Sequence, residues 1–381
     1  MPELNLKSPH QSSPAVSPPP GTGTGKPLSV TDLRKTYSGV TAVDTVSMEI
    51  AGGEFVTFLG SSGSGKTTTL MMIAGFCEPD SGSIVVGGRD VTRLAPQKRG
   101  LGFVFQQYLL FPHMTVWENV AFPLQLRGVP KAELRRRVGE TLEIAGLSAM
   151  ARRRPRELSG GQQQRVALCR ALVYRPPVIL MDEPLGALDK KLRDQLQTEI
   201  KRIQQELGLT VIYVTHDQEE ALVLSDRIAV MRDGRIDQFD TPRELFERPR
   251  TPFVADFLGA ANFLSGTVQQ QTSERTVVKL DTGGLLKARP QTGVEGARVR
   301  AAVQPGRLRL CTPGDGFCTG TVETVTYVGT LVRVTVRPAG DAGTGLVRLE
   351  LPAGQAPVIG EQVSLTAHPD DVSVFAAEGG G

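Results

Sequence analysis

The chain has 381 residues, 40% of them hydrophobic and 22% charged, with a net charge of +3. Those values fit a globular protein of two domains, or of one large and one small, and the charge is too weak to argue for nucleic acid. No run approaches the roughly 18 consecutive apolar residues of a membrane span, and the N-terminus lacks the apolar core of a secretory signal, so a cytoplasmic protein is expected.

Residues 1–27 are rich in Pro and Ser, with Pro18-Pro19-Pro20 and then Gly21-Thr22-Gly23-Thr24-Gly25, and read as a disordered tail that can bury no core. Residues 28–33 open a strand, and alternation over 43–50 continues a small antiparallel sheet. Tyr37 falls in the turn between them, where it either stacks on adenine or packs at the surface.

Residues 54–59 read as a buried strand and 69–74 as an apolar helix. Between them stands Gly60-Ser61-Ser62-Gly63-Ser64-Gly65-Lys66-Thr67-Thr68, which fits the phosphate-binding pattern G-x-x-x-x-G-K-[ST]. Glycines let backbone N–H groups curl around phosphate oxygens, and the helix N-terminus adds a positive dipole end. Lys66 is expected to reach the β- and γ-phosphates, with the Thr67 hydroxyl on Mg²⁺.

A strand at 82–88 and a short one at 101–105 follow, the latter running into Gln106-Gln107. Residues 116–151 read as helical, and the arginines at 135–137 and 152–156 read as a solvated face because no aromatics interleave with them. Ser159-Gly160-Gly161-Gln162 then opens another helix, a second anion-binding device. One nucleotide does not need two such devices from one subunit, whereas two facing subunits use both.

Residues 178–181 form an apolar strand that ends in Asp182 and Glu183. A carboxylate at such a strand end holds Mg²⁺ through water, and the next is placed to polarise an attacking water. The strand 211–215 ends at His216, where open α/β sheets put their ligands. Beyond residue 262 the chain turns to short Val- and Thr-rich alternating runs, the pattern of a small β-barrel, with only Tyr327 among its tyrosines and too few aromatics for base stacking. Cys77, Cys169, Cys311 and Cys318 form no C-x-x-C pair, which disfavours zinc or a redox dithiol and leaves free thiols as the expectation.

Taken in this order, the motifs resemble those of the ATP-hydrolysing subunit of ABC transporters, closely over residues 28–240. By that resemblance Leu158 to Gln162 is the signature motif, Gln106 the Q-loop glutamine, Asp182 and Glu183 the Walker B pair. Gly186-Ala187-Leu188-Asp189 is the D-loop, His216 the switch histidine and Tyr37 the adenine-stacking aromatic. The fold implied is an α/β P-loop ATPase cassette over 28–260, with a helical subdomain at about 107–175, followed by an all-β barrel domain over 261–381.

The resemblance also implies a mechanism. Two copies sandwich two ATP molecules, each between one copy's P-loop and the other's Ser159-Gly160-Gly161. Glu183 drives hydrolysis, Gln106 senses Mg²⁺ and water, His216 contacts the γ-phosphate and Asp189 crosses the dimer interface. The implied partners are a second copy, a membrane permease and, through it, a solute-binding protein, at the cytoplasmic face of the membrane. The appended barrel resembles that of importers, and residues 53–59 and 68–76 look most like the spermidine/putrescine group, with iron(III) and sulfate importers sharing residues 182–189. A soluble P-loop ATPase with a regulatory barrel is the reading from another class. Two departures stand out: Ser61 replaces a usual proline, and residues 302–307 replace the usual Val-Arg-Pro-Glu of the barrel.

Overall fold

The computed structural model describes residues 25–107, 109–186, 189–291, 295–340 and 345–377. Most of the expected tail, Tyr108, and residues 187 and 188 of the D-loop lie outside the described residues. The last residues assigned to the tail are tied down instead. Gly25 N–H donates to the Gly208 carbonyl at 2.9 Å and Lys26 N–H to that of Pro177 at 3.1 Å, backbone bonds that composition does not register.

β1 (Leu28–Tyr37) and β2 (Val40–Ile50) pair antiparallel. Tyr37 is thus the last residue of a strand, and only Ser38 and Gly39, at φ 48° and 86°, make the turn. β3 (Phe55–Leu59) leads into α1 (Lys66–Ala74), and β4 (Ser81–Val86) and β5 (Arg89–Asp90) complete a four-stranded sheet ordered β2-β1-β4-β5. A short α2 (Pro96–Arg99) precedes β6 (Gly102–Val104).

The segment expected to be one helical stretch is two helices, α3 (Val116–Leu126) and α4 (Lys131–Ile144), because Gly128 at φ 67° and Pro130 break it. With α5 (Gly160–Leu172) they bury a core of their own, including Val120, Leu124, Val138 and Val166. β7 (Val178–Asp182), α6 (Lys190–Leu207), β8 (Thr210–Thr215), α7 (Gln218–Leu224), β9 (Arg227–Arg232) and β10 (Arg235–Asp240) follow, then α8 (Pro242–Glu247) and α9 (Pro252–Gly259).

The central sheet has the order β10-β9-β3-β8-β7-β6, parallel except for the β9–β10 hairpin. Its inner strands β3, β7 and β8 are buried along their whole length because both faces are covered. On one side Leu70, Met72 and Ile73 of α1 pack with the antiparallel sheet. On the other, Leu196, Ile200 and Ile203 of α6 and Leu168 of α5 pack against Ile179, Val211 and Tyr213. The spacing of those α6 residues is one face of a helix.

The strands after α9 are all antiparallel. β11 (Asn262–Gln271), β12 (Thr276–Leu280), β13 (Leu285–Ala288) and β14 (Arg298–Val303) come first, then β15 (Leu308–Cys311), β16 (Cys318–Val328), β17 (Leu331–Pro338) and β18 (Val347–Pro352). β19 (Gln362–Ala367) and β20 (Val372–Ala376) end the series. They form two five-stranded sheets, β13-β12-β11-β14-β20 and β15-β19-β16-β17-β18, around one core that includes Val299, Val334 and Leu365. The all-β expectation is met by two facing sheets, since inward-outward alternation is common to a barrel and a pair of stacked sheets. A patch of small residues, Ala255, Ala261 and Ala302, joins this unit to α9, and Gln304 Nε2 donates to the Phe246 carbonyl at 3.0 Å.

Candidate nucleotide site

Strand order brings the site together. β3, β8, β7 and β6 are successive neighbours and run parallel, so their carboxyl ends share one edge of the sheet. The phosphate loop follows β3, His216 follows β8, Asp182 ends β7, and Gln106 lies just past β6. Register sharpens the meeting: Leu59 lies opposite Thr215, and Asp182 opposite Val214.

The loop is shaped by its glycines. Gly65 caps α1 at φ 97°, and a Cβ there would stand 2.6 Å from the Ala42 carbonyl oxygen. Only glycine satisfies both demands. The loop is pinned by Ser64 N–H donating to the Ser61 carbonyl at 3.2 Å, and by Gly234 N–H donating to that of Ser64 at 3.2 Å. Ser61 therefore sits in a loop that keeps its closed shape without the proline. Lys66 Nζ donates to the Gly60 and Ser61 carbonyls, both at 2.8 Å. Burial pulls its ammonium below the ordinary lysine range, against the pull of Glu183 and Asp182 in the other direction.

Two clusters form around the loop. In the first, Thr67 Oγ1 donates to Asp182 Oδ1 at 3.1 Å, and burial pushes the Asp182 carboxyl above the usual range while this hydroxyl lowers it. These are hard oxygen donors at the head of α1. In the second, Glu183 collects both its partners: Gln106 Nε2 donates to Oε2 at 3.3 Å, and His216 Nδ1 lies 3.1 Å from Oε1. The Glu183 backbone is held at φ 41° with its N–H on the Val214 carbonyl at 3.0 Å. A carboxylate fixed this way, between an amide and an imidazole at the sheet edge, is placed to orient a water for in-line attack on a phosphate.

Other expected residues stand apart. Ser159 caps α5, accepting Gln162 N–H at 3.4 Å, while Gln162 Oε1 accepts Ser159 N–H at 3.0 Å; Ser159 is exposed and Gln162 half-buried. Gly161 packs on Leu192 of α6, where a Cβ would stand 2.8 Å from Cδ1, and Gly160 is exposed beside it. Asp189 caps α6 through Leu192 N–H at 3.0 Å. Tyr37 is 48% exposed, and its hydroxyl lies 3.0 Å from Cys77 Sγ. Among the described residues no hydrogen bond joins Ser159, Gln162, Asp189 or Tyr37 to residues 60–68. Ser62, Gly63 and Thr68 complete the loop, the first two exposed and Thr68 half-buried on α1. All four cysteines are free thiols.

Two supporting residues escape sequence reasoning. Arg99 is 5% exposed and donates to the Met72, Ile73, Leu94 and Thr92 carbonyls at 2.7–2.8 Å, closing the far end of α1. Asn119, fully buried, donates to the Phe111, Met114 and Thr115 carbonyls and accepts Phe111 N–H at 2.9 Å, which fixes the segment after Gln106. A lone polar residue in an ordinary run carries no signal of either role.

The sequence matches the family described as ABC transporter over residues 43–186 and the TOBE domain over residues 301–375. It is 51% identical over 324 residues to the spermidine/putrescine import ATP-binding protein PotA of Rubrobacter xylanophilus, covering 84% of this chain and 86% of that protein. It is 47% identical over 309 residues to the Fe(3+) ions import ATP-binding protein FbpC of Agrobacterium fabrum, covering 80% of this chain and 87% of that one. Among solved structures, an ATP-binding cassette in a dimeric, post-hydrolysis state with ADP and Pi is 36% identical. It aligns with 57% of this chain and 99% of its own, at a TM-score of 0.51.

Proposed function

This chain belongs to the ABC transporter family as an import ATP-binding subunit, and we propose that the solute it moves is a polyamine of the spermidine/putrescine class. The observation that carries the enzymatic part is the Glu183 carboxylate, gripped by Gln106 and His216 beside the phosphate loop. Polyamine cargo is supported by the 51% identity to a spermidine/putrescine import protein, with iron(III) as the second reading from the 47% relative.

ATP lies in residues 60–68, its phosphates on the loop N–H groups and Lys66, its base against Tyr37. Thr67 Oγ1 and Asp182 Oδ1, hard oxygens 3.1 Å apart, fit Mg²⁺ and would hold it, with Gln106, whose amide here meets Glu183, as a further ligand. Bound there, the ion neutralises charge on the phosphate oxygens. Glu183 holds and polarises the attacking water, and His216 steadies Glu183 and meets the γ-phosphate.

Ser159, Gly160, Gly161 and Gln162 make no hydrogen bond to their own chain's loop among the described residues, and the helix N-terminus they form, with Ser159 and Gly160 exposed, suits a second copy's nucleotide. The working unit is therefore a homodimer closed by ATP, with Asp189 at its interface, and hydrolysis reopens it. By the import role of its relatives the dimer acts peripherally, on a permease at the cytoplasmic face that receives solute from a binding protein; no helix among the described residues is long and apolar enough to cross a membrane.

The test is ATPase activity of the assembled transporter in liposomes. Binding protein loaded with spermidine or putrescine is expected to stimulate turnover, and binding protein loaded with iron(III) or sulfate is not. Stimulation by iron(III) alone would overturn the polyamine reading in favour of the second.

A further inference from the structure

We propose that Glu220 is a positioning residue for hydrolysis: its buried carboxylate fixes, through Thr215 and Asp217, the turn that carries His216, while Arg193 ties that turn to the helix capped by Asp189. This rests on the reading of Glu183 and His216 as the hydrolytic pair.

Glu220 lies on α7 and is only 2% exposed. Its Oε2 accepts the Tyr213 hydroxyl at 2.7 Å and the Thr215 hydroxyl at 2.8 Å. Thr215 Oγ1 in turn accepts Asp217 N–H at 3.0 Å, so the residues on either side of His216 are linked to one buried carboxylate, Thr215 directly and Asp217 through the Thr215 hydroxyl. Asp217 Oδ1 accepts the N–H groups of Glu219 and Glu220, at 2.8 and 3.2 Å, closing the turn onto the first residues of α7. From α6, Arg193 Nη1 meets Asp217 Oδ2 at 2.8 Å, and its Nε lies 3.6 Å from Glu220 Oε1.

His216 itself is exposed, and its side chain's hydrogen-bond partner among the described residues is Glu183. Its ring position is thus set by the backbone turn and not by packing. Burying a carboxylate is costly unless donors meet it, and an apolar residue would fill the same volume more stably. Here the donors are the two hydroxyls that define the strand end before His216. A displacement of about 1 Å in a reacting group is enough to cost on the order of 100-fold in rate. The contact also gives Asp189 and His216, which face different partners, a shared rigid support.

The experiment measures steady-state ATP hydrolysis and melting temperature on the full-length chain. Thr215→Val keeps the shape and removes the hydroxyl; kcat is expected to fall about tenfold or more with KM for ATP within about threefold, the split of an interaction that acts only on the chemical step. Thr215→Ser is expected to restore kcat to within about threefold of the parent. Parental kcat in Thr215→Val, an equal loss in Thr215→Ser, or a loss that appears in KM overturns the proposal. Should Thr215→Val melt far below the parent, Glu220→Gln replaces it, with the same split expected and parental kcat overturning the idea. Glu183→Gln and His216→Ala run alongside. If both are silent while Thr215→Val is parental, positioning alone fails; if both turn over normally, the hydrolytic reading fails first.

Discussion

Glu183 occupies a left-handed backbone conformation at φ 41°, which costs a non-glycine residue on the order of 1 kcal/mol. Its N–H bond to Val214 and its two side-chain partners hold it there. Glu183→Gln keeps size and most of the contacts but removes the charge. It is expected to cut ATP turnover by about 100-fold or more while ATP still binds and still closes the dimer. Turnover assays and gel filtration with ATP check this, and full ATPase activity would sink the assignment. Tyr37 offers a contrasting case: exposed, at a strand end, and held by Cys77, it presents a ring without being needed for chemistry. Tyr37→Ala is expected to raise KM for ATP about tenfold with kcat little changed, a stacking loss of about 1.4 kcal/mol. Unchanged KM would leave Tyr37 as a packed surface residue.

Among the elements, the P-loop helix depends on both of its ends. At the start, Gly65→Ala would place a Cβ 2.6 Å from the Ala42 carbonyl oxygen at a φ of 97°, so ATP binding is expected to be lost, as titration with a fluorescent nucleotide would register. At the other end, Arg99→Met leaves four carbonyls without their donor, those of Met72 and Ile73 buried, and is expected to cost about 3 kcal/mol of stability, read as a lower urea midpoint at unchanged slope. An unchanged midpoint would show that water replaces the guanidinium. The first end was legible from residues 60–68, because a phosphate cradle demands glycines at set spacing. The second was not, because Arg99 acts on residues 72 and 73 only after the chain folds back.

At the scale of the whole molecule, one chain carries two helix starts suited to anions, at Gly65 and at Ser159, and among the described residues no hydrogen bond joins them. Thr67 and Asp182 meet beside the loop, whereas Ser159 and Gly160 are exposed at the start of α5. Activity is therefore expected to rise faster than linearly with protein concentration at low concentration. Mixing Lys66→Ala with Gly160→Asp, each inactive alone, is expected to restore hydrolysis, since one composite site in the mixed dimer keeps an intact loop and an intact Ser159 helix. Failure of every mixture to exceed its parents would argue for a site complete within one chain. The all-β unit touches the cassette through small alanines and the Gln304 amide, so the departure at residues 302–307 falls on the joint itself.

By itself the sequence determined the chemistry and the class. Loop glycines, Lys66, the carboxylates after an apolar strand and the serine-glycine helix start are local demands of phosphate binding, and local demands are written in neighbouring residues. Tertiary structure alone decided who meets whom. The strand order β3-β8-β7-β6 carries Gln106, Glu183 and His216 to one edge from positions far apart in the chain. Burial decided that Arg99, Asn119 and Glu220 support the site, because a polar side chain's role is set by the groups that folding leaves without water.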